Sequence, residues 1–216
     1  PGCAQRQVCG VTVDGGYAPY LVVPAAFATR VSDELSAVEA APLFCAGLSV
    51  YAGLQAAGVT AGMTVAVHGI GGLGHLALQY AGALDAKVVA ITRGADKHDL
   101  ARELGALEVI DALETDPAAA LRDLGGADVV LTTAPSGAAM GPLLGGLKPR
   151  GTLVVVGAST ESFPVVPMAL LAGRLRVIGS AAGSRRQLRE ALDLAVRHAI
   201  RPVVETCRLR EAPAAL

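Results

Sequence analysis

The stretch Met63-Thr64-Val65-Ala66-Val67-His68-Gly69-Ile70-Gly71-Gly72-Leu73-Gly74 decides the fold. Val65 to Val67 is a short apolar run that suits a buried strand. It runs into Gly69-x-Gly71-x-x-Gly74, and a helical pattern follows at once. Leu73, Leu76, Ala77, Tyr80, Ala81 and Leu84 fall on one face of that helix. A second apolar run, Val88 to Ile91, comes next. Strand, glycine turn, helix and strand in this order form the βαβ unit that holds a dinucleotide.

Each glycine has a task in such a unit. Gly69 permits the tight turn out of the strand, Gly71 lets the backbone approach a pyrophosphate, and Gly74 lets the helix lie close to the sheet. The N–H groups at the helix start, with Gly72 and Leu73 among them, face the phosphates with the positive end of the helix dipole. In a non-binding α/β domain the same glycines would serve only as a turn.

Working outward, the pattern stays regular. A strand over 87–92 is followed by a helix over 97–104, capped by Asp96 and ended by Gly105. A strand near 108–110, a helix over 118–124 and a strand over 128–132 come next. A helix over 138–147 is interrupted by glycines, and strands over 152–156 and 176–178 follow. Strands alternating with helices imply a doubly wound parallel sheet covered on both faces. Ser184-x-x-Gln187 is a capping box that opens a last helix. Its buried face is Leu188, Ala191, Leu192, Ala195 and Ala199, and Pro202 stops it.

Before Met63 the chain is less regular. Val11 to Ala18 reads as a strand then a turn, and Tyr20 to Val23 as another strand. Ser32 to Ala41 reads as a short helix, Pro42 as the start of a longer one over 46–57, and Gly58 as its end. The organisation expected is therefore an irregular part at 1–45, a wound sheet at 46–200 and a returning tail at 201–216.

Composition narrows the function classes. The hydrophobic fraction is 52% and the charged fraction 17%, which suits a large buried core. The formal net charge of −1 comes with no long run of one sign, so nothing draws the chain to nucleic acid or an anionic membrane. No apolar stretch is expected to reach the roughly 18–20 residues of a membrane span. Cys3, Cys9, Cys45 and Cys207 are too scattered for a disulfide framework, so a reducing cytoplasm is the expected compartment. Residue 1 is Pro, and residues 210–216 stop inside a possible helix, so the sequence reads as a piece of a longer protein.

Ala41-Pro42-Leu43-Phe44-Cys45-Ala46-Gly47-Leu48-Ser49 adds chemistry. By residue type alone Cys45 is a small buried hydrophobe or a ligand. This stretch closely resembles the zinc-dependent medium-chain alcohol dehydrogenases, together with Asp14-Gly15-Gly16-Tyr17-Ala18, Gly69-Ile70-Gly71-Gly72-Leu73-Gly74-His75, Val177-Ile178-Gly179-Ser180 and Ala191-Leu192-Asp193.

The resemblance implies a Rossmann domain with part of a GroES-like β catalytic domain. It also implies zinc, NADP or NAD as cofactors, a small-molecule alcohol or aldehyde as substrate, and a homo-oligomer, dimer or tetramer. Cys45 matches the last of three ligands to the catalytic zinc, and Ser49 the hydroxyl residue beside the nicotinamide. Val156, Gly157 and Ala158 match the strand end under that ring, and Ser180 and Ala181 a second contact with it. Cys3 has the spacing to Asp14 of the fourth structural-zinc cysteine. Cys9 and Cys207 match no ligand position and read as structural.

The sequence also departs from the family. Its other zinc ligands and proton-relay hydroxyl correspond to positions before Pro1, and a catalytic zinc needs three protein ligands. His68 and His75 read as packing or surface residues, not replacements. Pro19 stands where the family more often has Glu, a surface change. Two alternatives are a zinc-free quinone or enoyl reductase, which usually lacks the cysteine, and a nucleotide-binding module without catalysis.

The end of the second strand reads Ala90-Ile91-Thr92-Arg93-Gly94-Ala95-Asp96-Lys97. An NAD enzyme usually places a carboxylate there for the ribose hydroxyls. Here none follows the strand directly. Thr92 is expected to donate to a 2′-phosphate, with Arg93 and Lys97 adding charge, so NADP is the expected preference.

Overall fold

The computed structural model describes residues 7–215, so Cys3 lies outside the described residues. Its centre is one six-stranded parallel sheet. The chain enters through helices α1 (Ala37–Pro42) and α2 (Leu48–Ala57), and then alternates. The order is β1 (Thr64–His68), α3 (Gly74–Ala83), β2 (Lys87–Thr92), α4 (His98–Glu103), β3 (Glu108–Asp111), α5 (Pro117–Asp123), β4 (Ala127–Thr132), α6 (Gly137–Met140), β5 (Leu147–Val155), α7 (Pro167–Gly173), β6 (Arg176–Gly179) and α8 (Arg185–Arg197). In space the strands run β3-β2-β1-β4-β5-β6. The winding reverses between β1 and β4, and a crevice opens there beyond the carboxyl ends of the strands.

Alternating side chains serve the two faces. Val65, Val67, Val88, Ala90, Val129 and Leu131 join the core beneath α2, α3 and α8. Ala66, Val89, Ile91, Val130 and Leu153 join the opposite core beneath α5. The strands are therefore apolar on both sides, as a sheet covered by two helical layers requires.

Helix α8 has the expected capping box, with Ser184 accepting from the Gln187 N–H. It ends at Arg197, before Pro202, because Ala199 turns left-handed at φ 51°. Ala199 is thus exposed, and Leu194 and Ile200 are buried instead.

Several expectations fail. Val11–Val13 and Tyr20–Val23 form no strands. Cys9 and Val13 make an isolated bridge, and Tyr20 and Val22 are exposed, with no neighbouring strand among the described residues to pair with. The helix expected over 138–147 is a short α6 followed by a 3-10 run over Gly141–Gly146. Helix α7 goes unread in the sequence.

Pro42 does not break the first helix. It lies inside a continuous Ala37–Ala57 helix that widens into a π turn at Leu43–Gly47, where the Leu48 N–H reaches the Leu43 carbonyl. That helix is 21 residues long, and an 18-residue window within it has a mean hydropathy of 1.5, so a segment with the length and composition of a membrane span does exist. Half of that window is buried within the protein, and α2 packs against α3 and α8 as a core helix does.

Candidate nucleotide cleft

A cleft of about 920 Å³ lies at the reversal of strand order. Its floor is the glycine turn after β1. Gly69 has φ 89°, and a Cβ on Gly74 would stand 1.9 Å from the Gly69 carbonyl oxygen, so no side chain fits at residue 74. A Cβ on Gly71 or Gly72 would meet nothing within 4 Å. The packed glycine closes the helix onto the turn, and the open pair leaves room for a ligand.

Helical bonding begins with the His75 N–H on the Gly71 carbonyl, at 3.0 Å. The Gly72 and Leu73 N–H groups, in the first turn, take no backbone acceptor among the described residues and border the cleft. Free N–H groups at the start of a ten-residue helix favour an anion.

Cys45 and Ser49 stand one turn apart on the α1–α2 helix, and both border the cleft. Cys45 is exposed, not the small buried hydrophobe that residue type suggests, and Cys9 and Cys207 are exposed as well. Val156, Ser180 and Ala181 complete that wall. Gly74, Gly157 and Ala158 do not line the cleft. Gly157 lies behind it, where a Cβ would be 2.5 Å from the Thr133 carbonyl oxygen, and Ala158 is exposed.

At the other end, Thr92, Arg93 and Lys97 line the cleft, and Arg93 and Lys97 are exposed. Thr92 is buried, and its hydroxyl is engaged otherwise than expected. It donates to the Ile110 carbonyl at 3.4 Å and lies 3.1 Å from His98 Nε2. Asp111 accepts the N–H groups of Gly94 and Leu113, each at 2.9 Å, and lies 3.7 Å from His98. Those N–H bonds, first Leu113 and then Gly94, hold the Asp111 carboxyl below its ordinary range, with His98 adding to them. Asp96 sits inside a 3-10 turn over Ala95–Lys97 and caps nothing. Helix α4 starts at His98 with no side-chain cap.

Thr133 and the hydrogen bonds of His75 go unread in the sequence. Thr133 follows β4, and its hydroxyl donates to the Gly69 carbonyl at 2.6 Å. His75, buried on α3, contacts the Gly71 carbonyl and the Val203 N–H. A hydroxyl just past a strand that neighbours the glycine turn is the one sequence signal for Thr133.

Comparison with known proteins agrees with this geometry. The family model for zinc-binding dehydrogenases matches residues 72–197. The chain belongs to that family. An alcohol dehydrogenase of Geobacillus stearothermophilus is 40% identical over 210 residues, 97% of this chain and 62% of its own length. The chain thus spans less than two thirds of that relative. A Sinorhizobium meliloti 1021 protein described as a zinc-binding dehydrogenase and bound to NADP superimposes with a TM-score of 0.87 at 31% identity. The match covers 99% of this chain and 65% of that one. Acetophenone reductase from Geotrichum candidum, in complex with NAD, superimposes with a TM-score of 0.85 at 26% identity, covering 99% and 61%.

The family's metal does not fit the described residues alone. Among them, no three His, Cys, Asp or Glu side chains converge to hold an ion. Cys45 offers one thiol at the cleft wall, against the three protein ligands a catalytic zinc requires.

Proposed function

We propose that this chain is the nucleotide-binding part of an NAD(P)-dependent alcohol dehydrogenase acting between primary or secondary alcohols and aldehydes or ketones. The observation that carries the reading is the open glycine pair Gly71–Gly72 beside free helix N–H groups at the strand-order reversal. A bound nicotinamide would supply the hydride acceptor, or the donor in reverse. The chain's own residues orient it. Gly72 and Leu73 hold the pyrophosphate, Val156 and Ser180 border the ring, and Ser49 presents a hydroxyl beside it.

Cys45 would be one zinc ligand, with the others supplied from outside the described residues. By itself the 216-residue chain would then turn over no alcohol. Residues 1–45 and 201–216 would belong with a second, catalytic domain. In the full-length protein, Cys45→Ser is expected to remove zinc and alcohol oxidation together while dinucleotide binding persists. Zinc content and turnover equal to a zinc-containing wild type would overturn Cys45 as a ligand, and a wild type that holds no zinc would favour a zinc-free reductase or a nucleotide-binding module.

NADP is the preferred cofactor in this reading, with Arg93 and Lys97 as the charges for a 2′-phosphate. Thr92 contributes through the wall, since its hydroxyl is already bonded. Arg93→Ala is expected to weaken NADP binding about tenfold and to leave NAD nearly unchanged, since a charge-assisted hydrogen bond contributes roughly 1.5–3 kcal/mol. Parallel titrations with both dinucleotides read this directly, and tighter NAD binding by wild type would overturn the preference.

A second copy of the chain is the proposed partner. Strand β6 ends the sheet with an edge that is unpaired among the described residues, and Val166, Met168 and Leu171 are exposed on and beside α7. Cytoplasmic location, with neither membrane nor nucleic acid as partner, completes the proposal.

A further inference from the structure

His75 connects the phosphate-binding turn to a segment 128 residues further along the chain. Its Nε2 lies 3.1 Å from the Val203 backbone nitrogen. A backbone N–H only donates, so Nε2 is the acceptor and the ring proton sits on Nδ1. The Nδ1–H then donates to the Gly71 carbonyl at 3.0 Å. That carbonyl also accepts the His75 N–H. The peptide between Gly71 and Gly72 is planar and trans, so fixing its oxygen on the helix side turns the Gly72 N–H the opposite way. Gly72 is a cleft residue.

The same helix holds the far segment at a second point. One turn beyond His75, Gln79 Nε2 donates to the Arg201 carbonyl at 2.9 Å, and Gln79 Oε1 accepts the Arg201 N–H at 2.9 Å. Arg201 also pairs with Glu39 of α1 at 2.9 Å. Residues 201 and 203 are thus clipped to α3 by two side chains, and only the His75 clip also touches the glycine turn. Val203 and Val204 then form part of the cleft rim.

We propose that His75 is a positioning residue that couples the phosphate-binding turn to the 201–204 segment. Through one buried ring of fixed tautomer, a dinucleotide on the turn steadies the rim, and the docked rim steadies the turn. This coupling rests on the nucleotide reading above. Coupling of this kind is reciprocal, so each site reports on the other.

The two ring nitrogens can be tested separately in the full-length protein. His75→Asn keeps a donor near the Nδ1 position, and His75→Gln keeps an acceptor near the Nε2 position. The readouts are NADPH and NADH titrations, using the fluorescence of the reduced nicotinamide, and hydrogen exchange of the Val203 amide with and without dinucleotide. In wild type, dinucleotide is expected to slow Val203 exchange. His75→Gln is expected to bind dinucleotide about fivefold more weakly, the value of one ordinary hydrogen bond, with Val203 exchange near wild type. His75→Asn is expected to bind within about twofold of wild type, while Val203 exchanges about fivefold faster and no longer responds to dinucleotide.

His75→Leu should show both losses, and if it does not fold, the Asn–Gln pair carries the test alone. Identical effects of Asn and Gln on both readouts would overturn the coupling, as would a folded His75→Leu protein that matches wild type. If wild type binds no dinucleotide, the nucleotide reading falls and takes the coupling with it. If wild type binds but Val203 exchange ignores the ligand, only the coupling falls.

Discussion

The two ends of the parallel sheet use polar groups in opposite ways. At the amino end, Thr64, Asp128 and Lys148 close on one another. Asp128 Oδ2 accepts the Thr64 N–H at 2.7 Å and the Lys148 Nζ at 2.7 Å, and Lys148 Nζ lies 3.5 Å from the Thr64 hydroxyl. At the carboxyl end the strands run out into a turn whose first-turn N–H groups border open space. Two carbonyls of the turn are held, Gly69 by Thr133 and Gly71 by His75. Donors turned toward the cleft remain available while these two acceptors are engaged, and this division favours an anion. The closed end can be judged by stability and the open end by ligand affinity, with little crossover between them.

The largest expected effect on stability is at the closed end. Burial pushes the Asp128 carboxyl up, but Lys148 and the Thr64 N–H outweigh it and hold the group below its ordinary range. Asp128→Ala leaves Lys148 and the Thr64 N–H without this partner and is expected to lower unfolding free energy by about 1–2 kcal/mol, with dinucleotide affinity unchanged. Because the folded carboxyl is the stronger acid, its stabilisation is complete above the unfolded value and is lost as pH falls through the folded one. The gap between wild type and variant in urea unfolding should therefore narrow below about pH 4. An equal loss of dinucleotide affinity would show that the two ends are not independent.

A smaller effect is expected where the carboxyl end is buried. His68 closes β1 with Nδ1 2.9 Å from the Thr132 hydroxyl, and burial lowers its basicity. Above about pH 6.5 both folded and unfolded forms are neutral, so nothing changes there. Below it the unfolded chain takes a proton that the folded chain resists, and stability falls. His68→Asn removes this dependence. From pH 7 to pH 5 its thermal midpoint should decline less than that of wild type, and parallel declines would place the pH sensitivity elsewhere.

The same contrast explains how much of the molecule is legible in its sequence. Val65–Val67, Val88–Ile91 and Val129–Leu131 are short apolar runs with partners on both sides, and sequence places their strands within a residue or two. Val11–Val13 and Tyr20–Val23 use the same residue types, but a strand also needs a neighbour, and none stands beside them among the described residues. Pro42 reads as a boundary because a proline removes one N–H, yet a π turn after it absorbs the irregularity.

Gly69, Gly71, Gly72 and Arg93 are legible at the cleft from local order, and Cys45 and Ser49 from the resemblance to the family. Thr92 is misread because its hydroxyl is committed to Ile110 and His98, contacts made only when β2 and β3 are side by side. His75 is buried, as a packing residue is, but its hydrogen bonds go unread for a similar reason. Its second partner lies beyond the last helix, and no local pattern in residues 63–84 points there.

The central claim is that the open glycine turn is where a dinucleotide binds. The most direct measurement is titration of the full-length protein with NADPH and NADH, comparing wild type with Gly72→Val. A Cβ at residue 72 meets no protein atom within 4 Å, so the variant should fold with a thermal midpoint close to wild type. Its side chain would stand where the phosphates approach, and affinity should fall by about tenfold or more, the order of a lost charge-assisted contact. Unchanged affinity in a normally folded Gly72→Val protein would contradict the account.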